Sequence, residues 1–148
     1  MKILLKYWVL PFFLIGCSWV SDVPKSVWGS STRVLSEKRD EALSSEFSCS
    51  VKSCFDAVLA MTLPYKEVQD QDQVKFVLFL QNREQGAIVL MGVPGCVDTT
   101  EVGVFFSDKG GGQTAIEISS LSSRAKDAAA QVIFNRLSQQ FFDDARTN

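Results

Sequence analysis

The sequence predicts an α+β domain in which a four-stranded antiparallel meander is covered by two helices, giving a two-layer sandwich. Three observations support this prediction. Two segments, one before and one after the strands, carry apolar residues at the spacing of amphipathic helices. Four segments between them alternate with a period of two, as strands do. Short polar or glycine-rich connections join those four segments in pairs, which is typical of hairpins.

A leader, a tether and a short charged helix are predicted before the domain. Ser18 to Ser31 has no sustained hydrophobic period, and we interpret it as a tether. Ser31 to Ser45 mixes charges with a thin apolar stripe, which predicts a short solvated helix. We therefore expect residues 17–45 to lie outside the domain, which is predicted over 46–142 and followed by a tail at 143–148.

The first domain helix is predicted to follow a short strand at Glu46 to Cys49. Ser50 is a suitable N-cap, and Pro64 should end the helix near Leu63. The residues that recur at helical spacing are Val51, Cys54, Phe55, Val58, Leu59 and Thr62.

Two successive hairpins are predicted next. Val74 to Gln81 and Ala87 to Val93 alternate on either side of a polar turn, and Thr99 to Ser107 and Gln113 to Leu121 form the second pair. The loop between the latter two contains three consecutive glycines. They do not predict a phosphate site, because no Lys-Ser or Lys-Thr pair follows and the loop leads into a strand.

A long helix is predicted to close the domain, starting at Ser122 or Ser123 and ending near Phe142. Its broad apolar stripe consists of Ala125, Ala128, Ala129, Val132, Ile133, Leu137 and Phe141.

The leader has the pattern of a secretory signal. Lys2 and Lys6 precede an apolar run from Tyr7 to Ile15, and small Gly16 comes directly before Cys17. An uncleaved membrane anchor is the less favoured interpretation, because the run is well short of the ~20 residues that span a bilayer.

The segment Leu14-Ile15-Gly16-Cys17 is similar to the lipobox of bacterial lipoprotein precursors. The resemblance implies that residues 1–16 are removed, that the thiol of Cys17 is diacylated and that its new amino group is acylated. In such lipoproteins a residue other than Asp after the lipidated Cys usually permits export to the outer membrane. Ser18 therefore implies an outer rather than an inner membrane location.

Further segments resemble small uncharacterised bacterial lipoproteins: Val27 to Arg33 (VWGSSTR), Cys54 to Leu59 (CFDAVL) and Thr100 to Phe106 (TEVGVFF). That family implies no particular activity. The predicted element order is similar to the helix-grip domain of the outer-membrane assembly lipoprotein BamC. This second resemblance covers the lipobox and the element order, and it assigns no residue a role.

Composition excludes several kinds of chemistry. The sequence has no His, which rules out Ser/His/Asp and Cys/His nucleophile systems and an HExxH zinc site. The formal charge is −2 and no basic patch is visible, which argues against nucleic acid as a partner. The sequence predicts neither a cofactor nor a metal site.

Three cysteines remain after lipidation, and the signal directs the chain to a compartment where disulfides persist. Sequence permits three pairings. We favour Cys49 with Cys54, because a strand that turns at Ser50 into a helix brings Cα atoms five residues apart to within ~6 Å. The alternative is that Cys54 is a small buried hydrophobic residue. Cys96 would then be free, and its role is open.

Three functions compete. The preferred one is a non-catalytic envelope lipoprotein, a binding or assembly module for an envelope protein or cell-wall component. An enzyme would have to use scattered groups that form no motif: Asp56, Glu67, Asp70, Asp72, Asp98, Glu101 and the cysteines. A carrier of an apolar ligand between helix and sheet is suggested by Phe76, Phe79, Phe105 and Phe106.

Overall fold

A six-stranded sheet forms the centre of the protein. The computed structural model describes residues 32–64 and 76–144. The elements are α1 at 32–37, a 3-10 turn at Arg39–Glu41, β1 Leu43–Phe47, α2 Val51–Leu59, β2 Thr62–Pro64, β3 Phe76–Asn82, β4 Ala87–Met91, β5 Val102–Gly110, β6 Gln113–Ser119 and α3 Ser123–Asp144. The predicted leader, Cys17, Ser18 and the tether lie outside the described residues.

The α+β class is confirmed, whereas the predicted number of strands is wrong. The order across the sheet is β1-β6-β5-β4-β3-β2. Strands β3 to β6 form the predicted antiparallel meander, β1 adds antiparallel to β6, and β2 adds parallel to β3. The sheet is therefore mixed and has one extra strand at each edge.

The two extra strands come from segments with weak patterns. Strand β2 has three residues, which is too short for an alternating period to be visible. Helix α2 was predicted to continue to about Leu63, but it ends at Leu59, and β2 occupies the residues predicted as its last turn. The hydroxyl of Thr62 donates to the Leu59 carbonyl at 2.7 Å, at the end of the helix. Strand β1 starts at Leu43 instead of Glu46, so part of the segment predicted as a charged helix belongs to the sheet.

The helix starts follow the sequence closely. Ser50 is the N-cap of α2, as predicted, and its side chain accepts a hydrogen bond from the Ser53 backbone N–H. The Ser122 hydroxyl accepts a hydrogen bond from the Ala125 N–H at the start of α3. Within α3, Ile133 and Leu137 of the predicted stripe are fully buried.

The core lies between one face of the sheet and the helices α2 and α3. We call this the inner face, and its buried strand residues include Ile88, Leu90, Val102, Val104, Phe106, Ile116 and Ile118. Phe106 packs against Phe55 of α2 with ring centroids 5.1 Å apart, and Phe47 packs against Phe134 of α3 at 5.8 Å. Side chains therefore fill the space between these helices and the sheet.

The turn between β3 and β4 requires a glycine. Gly86 has φ of +58°, and a Cβ atom there would lie 2.8 Å from the carbonyl oxygen of Phe106. The Phe106 N–H in turn donates to the Gly86 carbonyl at 2.8 Å. The predicted hairpin is confirmed, and this contact fixes its turn against β5.

Candidate functional site

Helix α1 lies on the opposite, outer face of the sheet. Its Leu35 is 2% exposed and packs with Ala87, Val89 and Phe105. The hydroxyl of buried Ser119 donates to the Leu35 carbonyl at 2.5 Å. The Leu35 side chain and this buried hydrogen bond are among the contacts that hold α1 on the sheet.

Gly103 makes this close approach possible. A Cβ atom at this position would lie 2.8 Å from a ring carbon of Phe105 and 3.2 Å from the Cβ of Leu35. Because Gly103 has no side chain, β5 leaves at this position the space that Leu35 occupies.

Arg39 secures the chain just after α1. Its guanidinium lies 4.9 Å from the centroid of the Phe105 ring and forms an ion pair with Glu117. It also donates to the Ser107 hydroxyl at 3.4 Å. The charge run was predicted to be a solvated face, and Arg39 departs from that prediction because it contacts two strands of the sheet.

The neighbouring charges of the same run lie in solvent. Lys38 donates to Glu41 at 2.8 Å, and both side chains are largely exposed. This hydrogen bond raises the pKa of Lys38 and lowers the pKa of Glu41, since it favours the charged form of each group.

A groove flanks α1 on each side. The first, which we call the strand-end groove, has a volume of about 540 Å³ and is lined by Val34, Leu35, Thr99, Thr100, Glu101, Ser120, Leu121 and Ser122. The second, the Arg39 groove, has a volume of about 640 Å³. Its floor is formed by Leu80, Ala87 and Phe105, and its walls include Arg33, Glu37, Arg39, Asn82 and Gln85.

Apolar side chains are exposed around the strand-end groove. Val97 is 72% exposed, Leu121 71% and Val34 37%. Val34 and Leu121 line the groove, and the Val97 carbonyl accepts a hydrogen bond from Thr100, which also lines it. We call Val34, Val97 and Leu121 the apolar rim. Single exposed apolar residues are common on protein surfaces, and we choose these three as the candidate interaction site because they lie at one end of the sheet.

The acidic residues considered for an enzyme that lie within the described ranges are found at two opposite ends of the sheet. Asp56 forms an ion pair with Arg83 at 2.6 Å, beside the β3–β4 turn. Asp98 and Glu101 lie in the loop that follows β4, at the opposite end of the sheet. Glu67, Asp70 and Asp72 lie outside the described residues. Within residues 32–64 and 76–144, no cluster of three or more acidic or Cys side chains could hold a metal ion.

The aromatic residues considered for a carrier lie on two faces. Phe76 and Phe106 belong to the core on the inner face, whereas Phe105 and Phe79 belong to the cluster on the outer face. They therefore do not line one common pocket between helix and sheet.

The structure places Cys49 and Cys54 as a disulfide pair, with Cα atoms 5.9 Å apart. Cys49 lies near the start of β6, because its carbonyl accepts a hydrogen bond from the Thr114 hydroxyl at 2.7 Å. Cys96 is half-buried in the loop after β4, at the other end of the sheet. Its position separates it from both partners that the sequence allowed.

These features define an α+β domain whose outer face carries an N-terminal helix between two grooves. In the part of the chain that the structure covers, no helix has the length and apolar character needed to cross a membrane. The chain matches no protein-family model, no curated protein and no solved structure.

Proposed function

We propose that this protein is a non-catalytic lipoprotein of a bacterial cell envelope, which uses its α+β domain to bind an envelope protein. The observation that carries this proposal is Leu14-Ile15-Gly16-Cys17 at the end of a short apolar run. A lipid on Cys17 would hold the domain at a membrane. The 14 residues from Ser18 to Ser31 would allow it to stand up to about 50 Å from the anchor.

The outer membrane is the preferred location, because Ser18 is not an Asp. The packing of α3 against β1, β5 and β6 supports a helix-grip-like arrangement. The apolar rim supports a binding role, since exposed apolar side chains grouped at one end of a domain are typical of protein contacts.

The anchor is tested by replacing Cys17 with Ala. We expect the wild type to incorporate labelled palmitate and the C17A variant to lose the label and accumulate as an unprocessed precursor. A Cys96→Ala variant is the matched control and should keep the label, because Cys96 lies within the domain. Several acyl chains hold a protein firmly on a bilayer. Mature wild-type protein in the soluble fraction, without detergent, would contradict the proposal.

The binding site is tested by site-specific photocrosslinking in cells. A photoreactive residue at Leu121 or Val97 should give one and the same crosslinked product, because both positions belong to the apolar rim. Lys52 on α2 is exposed and far from the rim, so a crosslinker there is the control. The same product from Lys52, or different products from the two rim positions, would contradict a partner bound at the rim.

A carrier of an apolar ligand is the second candidate, and the apolar floor of the Arg39 groove favours it. Ala87 and Phe105 in that floor are already buried, so little apolar surface is left for a ligand. Saturable binding of a fluorescent fatty acid by the full chain, weakened by Leu80→Asp, would favour the carrier. Absence of saturable binding would favour the binding module.

A further inference from the structure

The two edges of the sheet differ in how they can pair. Strand β2 forms one edge with three residues and ends in Pro64, which lacks a backbone N–H. Strand β1 forms the other edge with five residues, Leu43 to Phe47, and contains neither Pro nor Lys. Among the described residues, β6 is the one strand that pairs with β1. Short strands, Pro and Lys are the usual devices that prevent edge pairing, and β1 lacks the last two.

The side chains of β1 alternate between the two faces. Phe47 lies on the inner face, where its ring contacts Phe134, and Leu43 shares that face because it pairs with inner-face Ile118. Ser44 and Glu46 lie on the outer face. The outer face of this edge is therefore polar, whereas the inner face carries Leu43 and Phe47 with Ser45 between them.

We infer that β1 is an interface between two copies of this protein, which pair antiparallel with Ser45 of one copy opposite Ser45 of the other. In this register Leu43 meets Phe47 of the second copy on the inner face, and Ser44 meets Glu46 on the outer face. The strand is thus complementary to itself, and all five residues find a partner of suitable character.

Neighbouring registers are less favourable. A pair centred on Glu46 would place two carboxylates directly opposite each other, and like charges in that position are destabilising. A pair centred on Ser44 would leave Phe47 without a cross-strand partner. The charge and apolar pattern of the strand therefore favours the register centred on Ser45.

Helix α3 extends this interface. It runs beside β1 from Lys126, which donates to the Glu41 carbonyl at 2.6 Å, to Phe134. The two-fold axis at Ser45 would set the α3 helices of both copies side by side on the inner face of one continuous sheet. The exposed part of Leu43, which amounts to 37%, and the half-buried ring of Phe134 would be covered there.

Strand β2 at the other edge is short and ends in Pro64, and this limits the assembly to a closed dimer. Because the interface uses the same edge of both copies, the sheet can grow further only through β2. Pairing at five residues buries less area than the 1,200 to 2,000 Å² typical of stable complexes, so the dimer should be weak.

Cysteine scanning of β1 in the full chain tests the register. The background carries Cys96→Ser, which removes the half-buried thiol of the domain. With Ser45→Cys, the two thiols face each other across Cα atoms 4.5 to 5.5 Å apart, which suits a disulfide. From the spacing between strands and the rise per residue, the two Cα atoms at position 44 of Ser44→Cys would be about 8 Å apart. This distance is too long for a disulfide.

Under mild oxidation we expect about tenfold more covalent dimer from Ser45→Cys than from Ser44→Cys, with the Cys96→Ser background alone as baseline. Equal yields from the two positions would overturn the inference. A Ser45→Cys yield equal to that of the Cys96→Ser background would also overturn the inference. The edge of β1 would then be free to pair with an extended segment of another protein.

A charge pair provides an independent measurement without new thiols. Ser44→Lys should strengthen the dimer, because the introduced ammonium group of each copy would face Glu46 of the other copy. Adding Glu46→Lys replaces both attractive pairs with repulsive ones, while the intramolecular neighbour of position 44, Glu117, is the same in both variants. In sedimentation equilibrium the dimer dissociation constant should differ about tenfold between the two variants. Equal constants for two variants with equal melting temperatures would overturn the inference.

Discussion

At the scale of single residues, a few long-range contacts position α1. Arg39 pairs with Glu117 across 78 residues of sequence, and the Ser119 hydroxyl reaches the Leu35 carbonyl across 84. A local charge pattern holds no information about such partners. The sequence therefore predicted a solvated charged segment there, and the anchoring role of Arg39 was missed.

Gly103 is the residue on which the position of α1 depends. We expect Gly103→Leu to displace α1, since the new side chain would occupy the space of Leu35 and overpacking typically costs about 1–3 kcal/mol. Hydrogen exchange should show faster exchange of the α1 amides and unchanged exchange in α3. Gln113→Leu, at an exposed position of β6, is the control. Unchanged protection of α1 in Gly103→Leu would show that Leu35 does not need this space.

The cysteine pair gives a second prediction at this scale. Mass mapping of the unreduced protein should show a peptide that joins Cys49 to Cys54 and an alkylatable Cys96. Closing so short a loop should stabilise the domain by roughly 2 kcal/mol, so reduction should lower its melting temperature. Cys96→Ser should melt as the wild type does. A peptide joining Cys96 to either residue would refute the pairing.

At the scale of elements, the sequence predicted what has a clear period or cap. The amphipathic stripes of α2 and α3, the N-cap at Ser50 and the two hairpins were predicted from local patterns. The start of β1 was predicted too late in the chain, because Ser44 and Ser45 show no alternation of apolar and polar residues. Strand β2 was missed because its three residues form a strand only through their pairing with β3.

Helix α3 should be essential for folding. Ile133 is fully buried on its inner side, so Ile133→Asp would bury an unpaired carboxylate and should cost more than about 4 kcal/mol. Thermal melting should show loss of the cooperative transition. Gln131→Asp, an exposed position on the same helix, should change the melting temperature little. A variant Ile133→Asp that melts like the wild type would mean that α3 does not pack on the sheet.

At the scale of the whole molecule, the candidate site was harder to predict than the fold class. The apolar rim combines Val34, Val97 and Leu121, which are far apart in sequence, and the order of the strands is what brings their segments to one end of the sheet. Each of these residues is an ordinary apolar residue in its own segment. No local signal could have grouped them.

The proposed location of the protein leads to a prediction about which membrane it reaches. Ser18→Asp should move the protein from the outer to the inner membrane fraction, because the residue after the lipidated Cys selects export in the lipoproteins that this leader resembles. Ser21→Asp is the matched control and should leave the distribution unchanged. Fractionation on a density gradient decides the matter, and identical distributions of all three proteins would speak against sorting at Ser18.

The place where the chain enters the domain determines how the fold would respond to a mechanical load. A pull applied at the start of α1 would act first on this helix, whose contacts with the sheet include the Leu35 side chain and the Ser119 hydrogen bond, and next on the Arg39 ion pair. Both groups of contacts precede β1 along the chain, so we expect them to bear the load before β1 does. Under tension we therefore expect α1 to detach from the sheet and extend first, while the sheet and its core stay intact.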